Sequence, residues 1–199
     1  MTDAVVEAIR AGRPVILPTD TVYGLAADAF SAEAVEGLYR LKGRVENQPT
    51  ALLAASPDVV YEAVPELEGR VLLRGGYTLI LPNPARRLPW LTGDRAETIG
   101  VRIPELTGEA RAVLNRVRAV AATSANLPGE PDPRRLEDVP EALRVGSAAA
   151  IDGGELPGTP STVIDLTGPE PVVLREGAVP SSEALRRLSG ASAPASARD

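Results

Sequence analysis

A chain of 199 residues, 44% apolar and 24% charged, has the size and composition of one globular domain, which buries roughly 70% of its unfolded surface. Its net charge of −6, from 21 basic and 27 acidic side chains, argues against binding nucleic acid through the whole surface, though not through one local basic pocket. Cysteine and histidine are both absent, which excludes disulfides, thiolate or His-ligated metal sites, cysteine nucleophiles, Ser-His-Asp triads and imidazole acid–base chemistry.

The first segment, MTDAVVEAIRAGRP, reads as a short amphipathic helix over 3–11 stopped by Gly12. With Asp3 and Glu7 in it and no long apolar stretch, it is not a signal peptide. No run approaches the roughly 18 apolar residues of a membrane span, so a cytoplasmic location is expected. Residues 15–17 read as a buried strand entering a turn. Ser31 can cap a helix through Leu41, with Gly43 just past its end. Short apolar runs at 51–55, 77–81, 99–103, 119–122, 148–151, 162–166 and 172–174 are predicted strands, each bounded by Gly, Pro, Ser or Asp. Helical patterns at 107–118, 134–144 and 182–189 separate some of them. This mixture predicts a single α/β domain over 1–188 with a mixed sheet. Antiparallel pairing is expected where no helix intervenes, between 77–81 and 99–103 and among the last three runs. The small, Ala-rich segment 189–199 reads as a disordered tail.

Neither a GxxxxGK[ST] loop nor a GxGxxG after a strand is present. Polar clusters instead follow the predicted strands, at strand ends where α/β sheets form ligand crevices. The first is Pro18-Thr19-Asp20-Thr21-Val22-Tyr23-Gly24, which alone is also an ordinary Asp/Thr turn. Lys42-Gly43-Arg44 offers two cations for a polyphosphate, although cations at a helix C-terminus also serve the helix dipole. Thr98-Ile99-Gly100-Val101-Arg102-Ile103-Pro104 puts Arg102 on the opposite face of a strand from Val101 and Ile103, a pattern shared with an exposed sheet face. Thr123-Ser124-Ala125-Asn126 can form an anion nest or a plain turn. Ser161-Thr162-Val163-Ile164-Asp165 and Leu174-Arg175-Glu176-Gly177-Ala178 are each unremarkable in isolation.

Taken in order, these six elements resemble the PTxTxYG, KxR, VRxP, SAN, STVxD and LRxGA motifs of the YrdC-like family of threonylcarbamoyl-adenylate synthases. The resemblance runs from about Arg13 to Val179 and is to the short, single-domain form. It implies a single α/β domain with a twisted, mixed sheet curved around a large cleft. It also implies a nucleotidyltransferase that joins L-threonine, bicarbonate and ATP into threonylcarbamoyl-AMP and pyrophosphate, with Mg2+ accompanying the ATP and no protein metal centre. A threonylcarbamoyl-transferase complex would then modify certain tRNAs. By the family pattern Lys42 and Arg44 are catalytic. Lys42, Arg44, Thr98, Ser124, Asn126 and Arg175 fall around ATP, and Thr21, Arg102 and Ser161 around threonine, with Arg102 pairing bidentately with the amino-acid carboxylate. The same fold supports two alternatives, a diverged paralogue without synthase activity and a factor that binds double-stranded RNA or tRNA. Several positions depart from the family pattern: Val45, Gln48 and Leu53 replace a proline, an asparagine and a histidine, and Gly75-Gly76-Tyr77 replaces PGPL. Asp132 stands where a serine is frequent, and beside a phosphate it would add an unfavourable carboxylate.

Overall fold

The computed structural model describes residues 1–43 and 48–191. Its order is α1 (Thr2–Arg10), β1 (Val15–Pro18), β2 (Tyr23–Asp28), α2 (Ala32–Lys42), β3 (Ala51–Ala54), α3 (Pro57–Ala63), β4 (Tyr77–Pro82), β5 (Thr98–Arg102), α4 (Gly108–Val117), β6 (Ala119–Ser124), α5 (Glu141–Gly146), β7 (Ala149–Ala150), β8 (Thr162–Asp165), β9 (Val172–Arg175) and α6 (Ser181–Ala191). Among the described residues the strands form one sheet in the order β7-β1-β2-β6-β3-β5-β4-β8-β9. Pairing is parallel at β7/β1, β3/β5 and β4/β8 and antiparallel elsewhere.

The helices start and stop where their sequences direct. Ser31 accepts a hydrogen bond from the Ala34 N–H (3.2 Å), and Gly43 closes α2 in the left-handed conformation at φ 64°, which glycine adopts without steric cost. The helix expected at 134–144 is split: a short 3-10 turn spans Leu136–Asp138 and α5 begins at Glu141, after Pro140. Proline disfavours helical geometry in the residue before it, which interrupts the run at Val139. β4 and β5 pair antiparallel, as do β8 and β9, but β7 joins β1 in parallel at the far edge and does not continue that meander. α6 extends to Ala191, past the boundary expected at 188, and the remainder of the expected tail lies outside the described residues.

Two elements were not expected. Tyr23–Asp28 (YGLAAD) is a six-residue central strand forming a hairpin with β1; its glycine and alanines carry little strand propensity, and burial on both faces removes the alternation that marks a strand. Pro57–Ala63 is a helix with Ser56 at its N-cap position and proline in its first turn, a start signal that a seven-residue apolar pattern is too short to reinforce.

The two faces of the sheet are treated differently, and that difference makes the site. Ile16, Leu25, Leu52, Leu79, Val101, Ala121 and Ile164 point to one face, into a core that includes Val35, Leu38 and Tyr39 of α2 and Val59 and Val60 of α3. Alternate residues Val15, Leu17, Ala26 and Val120 point to the other face, where Val5, Val6 and Ile9 of α1 and Ala110, Val113 and Leu114 of α4 cover them. The side chains that β3, β5, β4, β8 and β9 turn toward this second face instead line an open cleft.

Candidate functional site

The cleft has a volume of about 280 Å³, and alternation along the strands dictates its floor. β3 contributes Ala51 and Leu53, β4 Thr78 and Ile80, β5 Thr98, Gly100 and Arg102, β8 Val163, and β9 Arg175. Each pair is two residues apart, as side chains sharing one face must be, and the register places Leu53 beside Arg102 and Ile80 beside Gly100. The end of β6 (Ala122, Thr123, Ser124), Thr19 in the β1–β2 turn, Ser161, Arg95 and Asp132 complete the wall. The floor of the site therefore lies on a sheet face, while Thr19 after β1, Ser124 at the end of β6 and Ser161 before β8 bring the expected strand-end groups to its wall.

Thr98, Arg102, Ser124, Ser161 and Arg175 of the expected set line this one cleft. Thr21, Lys42 and Asn126 sit directly behind it. Lys42 is 6% exposed, unlike a solvated helix-end cation, and its Nζ donates to Thr123 Oγ1 (3.0 Å), the Ser124 carbonyl (2.5 Å) and Asn126 Oδ1 (3.2 Å). Ser124 Oγ donates to Asn126 Oδ1 (2.6 Å), and Asn126 Nδ2 donates to the Glu130 carbonyl (2.7 Å). Lys42 of the KGR element and the SAN turn thus form a single junction. Arg44 lies outside the described residues, as does Val45.

On the opposite wall, Arg175 donates through Nε (3.0 Å) and Nη2 (2.8 Å) to the Ser161 carbonyl and through Nη2 to Ser161 Oγ (3.2 Å). The Ser161 hydroxyl is 2.8 Å from that of Thr78. Gly177 makes this packing possible: a Cβ there would lie 2.5 Å from the Ser161 carbonyl carbon and 2.6 Å from its oxygen.

At the base, Arg102 is buried at 8% exposure, not on an exposed sheet face. Its Nη2 pairs with Asp20 Oδ1 and donates to Thr21 Oγ1 (2.9 Å). Burial pushes the Arg102 pKa down and the neighbouring Asp20 carboxylate opposes that shift. Thr21 is fully buried, and its hydroxyl is engaged by Arg102 and by Thr19 Oγ1 (3.0 Å), so it shapes the arginine instead of facing the cleft.

Sequence reasoning missed Asp20 as a partner of Arg102, Thr78 as a wall hydroxyl and Arg95 as a rim cation. Arg95 is held by Asp165 at 3.2 Å and belongs to no motif. Of the departures from the family pattern, Leu53 and Asp132 both fall in the cleft wall. Among the described residues no group of three or more acidic side chains could cage a metal ion, and no helix is long and apolar enough to cross a membrane.

The Sua5/YciO/YrdC family model, described as telomere recombination, matches residues 7–177. A threonylcarbamoyl-AMP synthase of Pyrococcus abyssi is 37% identical over 183 residues, covering 88% of this chain and 53% of its own length. The chain thus spans about half of that relative. The structure of P. abyssi Sua5 complexed with L-threonine superposes with a TM-score of 0.79 at 34% identity, over 93% of this chain and 56% of that one. The structure of Escherichia coli YciO superposes with a TM-score of 0.70 at 28% identity, over 88% of each chain.

Proposed function

Because the chain belongs to the Sua5/YciO/YrdC family, we propose that it is an L-threonylcarbamoyladenylate synthase, a cytoplasmic nucleotidyltransferase that supplies tRNA modification. The observation that carries this reading is the convergence of Thr98, Arg102, Ser124, Ser161 and Arg175 on one cleft, with Lys42 buried against its SAN turn.

The chemistry asks for what these side chains offer. The amine of L-threonine combines with bicarbonate to give a carbamate and water. A carbamate oxygen then attacks the α-phosphorus of ATP, the bond from that phosphorus to the bridging oxygen breaks, and pyrophosphate leaves. Anion meets anion, so catalysis consists of positioning and charge neutralisation, with no histidine or cysteine needed. In this reading Arg102 receives the threonine carboxylate beside Ser161 and Thr78. Lys42 and Ser124 serve the phosphates together with Arg175 and Arg44. Mg2+ fits the donor set in one way: such ions take one or two carboxylates plus substrate phosphates, and Asp132 is a carboxylate on the cleft wall. Held there by Asp132, the ion would neutralise phosphate charge. The product passes to a threonylcarbamoyl-transferase complex that acts on tRNA.

The test is ATP-to-pyrophosphate turnover with bicarbonate and Mg2+, with L-threonine present or omitted, and mass detection of threonylcarbamoyl-AMP. Turnover that requires threonine and yields that mass is expected. A folded, ATP-binding protein that gives no such product overturns the reading.

A further inference from the structure

Arg102 has five N–H groups, and the fold spends them unequally. Nη2 donates to Asp20 Oδ1 and to Thr21 Oγ1, which uses both of its hydrogens. Nε is buried with no hydrogen-bond partner among the described residues. Nη1 makes no hydrogen bond to the described residues, and Arg102 lines the cleft. A guanidinium grips a carboxylate bidentately through Nη1 with Nη2 or through Nε with Nη2, and each of those edges includes the nitrogen already occupied. The bidentate grip expected for Arg102 is therefore blocked by the protein's own side chains.

Asp20 is itself held at both oxygens. Oδ1 takes Nη2, while Oδ2 accepts the Glu105 backbone N–H at 2.9 Å. One carboxylate thus ties the β1–β2 turn to Arg102 at the end of β5 and to the loop that follows. We propose that Asp20 is a positioning residue: by holding Nη2 it fixes the guanidinium so that Arg102 meets the substrate carboxylate through Nη1 alone. This rests on the reading of the cleft as a threonine site. Its chemical basis is local to Asp20, Thr21 and Arg102. An asparagine at position 20 puts an NH2 donor where one of the two carboxylate oxygens stands, so in the same orientation it faces either Nη2 or the Glu105 N–H with a donor instead of an acceptor.

The experiment is calorimetric titration of wild type and Asp20→Asn with L-threonine and, separately, with ATP, alongside nitrogen NMR of arginine-labelled protein, with Arg102→Lys identifying the Arg102 signals. Asp20→Asn should weaken threonine binding at least threefold and leave ATP binding within twofold. In wild type the two Nη nitrogens of Arg102 should give separate signals, because rotation about Nε–Cζ is blocked, and in Asp20→Asn they should merge or broaden. Threonine binding as tight as wild type or tighter overturns the proposal, as does an equal loss for both ligands. If wild type binds no threonine, the functional reading fails, and the NMR comparison alone decides: separate, sharp Nη signals retained in Asp20→Asn overturn the positioning role.

Discussion

Lys42 and Asn126 are 84 positions apart in sequence, and the Nζ of one lies 3.2 Å from Oδ1 of the other. The pair closes the junction between the end of α2 and the turn after β6, and Ser124, which sits between them and bonds to both, is the residue that reaches the cleft. A lysine that merely served the helix dipole would be solvated; here the ammonium group gathers acceptors and fixes the direction of the turn.

Replacing Lys42 with methionine should therefore impair both activity and stability. The substitution keeps the length of the side chain but removes the ammonium that donates to the Ser124 carbonyl, Thr123 Oγ1 and Asn126 Oδ1. Unsatisfied buried acceptors cost about 1–3 kcal/mol, which urea unfolding would measure. Loss of charge beside the phosphates should lower kcat for pyrophosphate release by about 100-fold or more, the scale seen when one preorganised donor is removed. A variant with wild-type kcat would remove Lys42 from the mechanism.

Gly177 supports the opposite wall by being absent of side chain. Alanine there would drive its methyl into the backbone of Ser161 at 2.5–2.6 Å, well inside van der Waals contact, and backbone cannot turn aside as a flexible side chain can. The segment that carries Ser161 into β8 must move, and Arg175, which holds the Ser161 carbonyl with two nitrogens, must move with it. Overpacking of this kind costs about 1–3 kcal/mol. Gly177→Ala should lower the unfolding free energy by that amount and raise the KM for threonine. A variant with unchanged stability and KM would show that the loop relaxes freely.

The fold was legible wherever its code is local. The α2 caps at Ser31 and Gly43 and the short apolar runs, that of β4 among them, all announced themselves. β2 did not, because its glycine and alanines carry little strand propensity and its inner place in the sheet comes from pairing with the remote β6, which no window of sequence contains. The site divides in the same way. Arg102 stood out as a cation in an apolar strand, and motif order linked it to Ser124, Ser161 and Arg175, which are unremarkable in isolation. Their partners were not visible. The tie from Asp20 to Arg102 spans 82 positions and that from Arg95 to Asp165 spans 70, so each depends on how the strands are ordered.

Arg95 and Asp165 carry the last prediction. Asp165 accepts from the Thr167 N–H (2.9 Å) and hydroxyl (2.5 Å) and from Arg95 Nη1 (3.2 Å). Burial alone would raise its pKa; the hydrogen bonds from Thr167 and the ion pair with Arg95 outweigh that and hold it below the ordinary value of 3.8. A carboxylate with a depressed folded pKa contributes stability that is fully present above its unfolded value and is lost as pH falls through the folded one. Wild-type stability should therefore decline as pH drops below about 4, and Asp165→Asn should flatten that part of the profile. With Arg95 half-exposed, the pair itself contributes at most about 1 kcal/mol, so the larger effect should be on binding. Thr98 N–H and Oγ1 both donate to the Arg95 carbonyl, at 2.9 and 3.1 Å, which fixes Arg95 at the rim beside a residue assigned to ATP. Arg95→Ala should raise the KM for ATP several-fold and leave that for threonine unchanged, and Asp165→Asn should do the same more weakly by releasing the guanidinium. Equal effects on both substrates would mean that Arg95 supports the rim without touching the nucleotide.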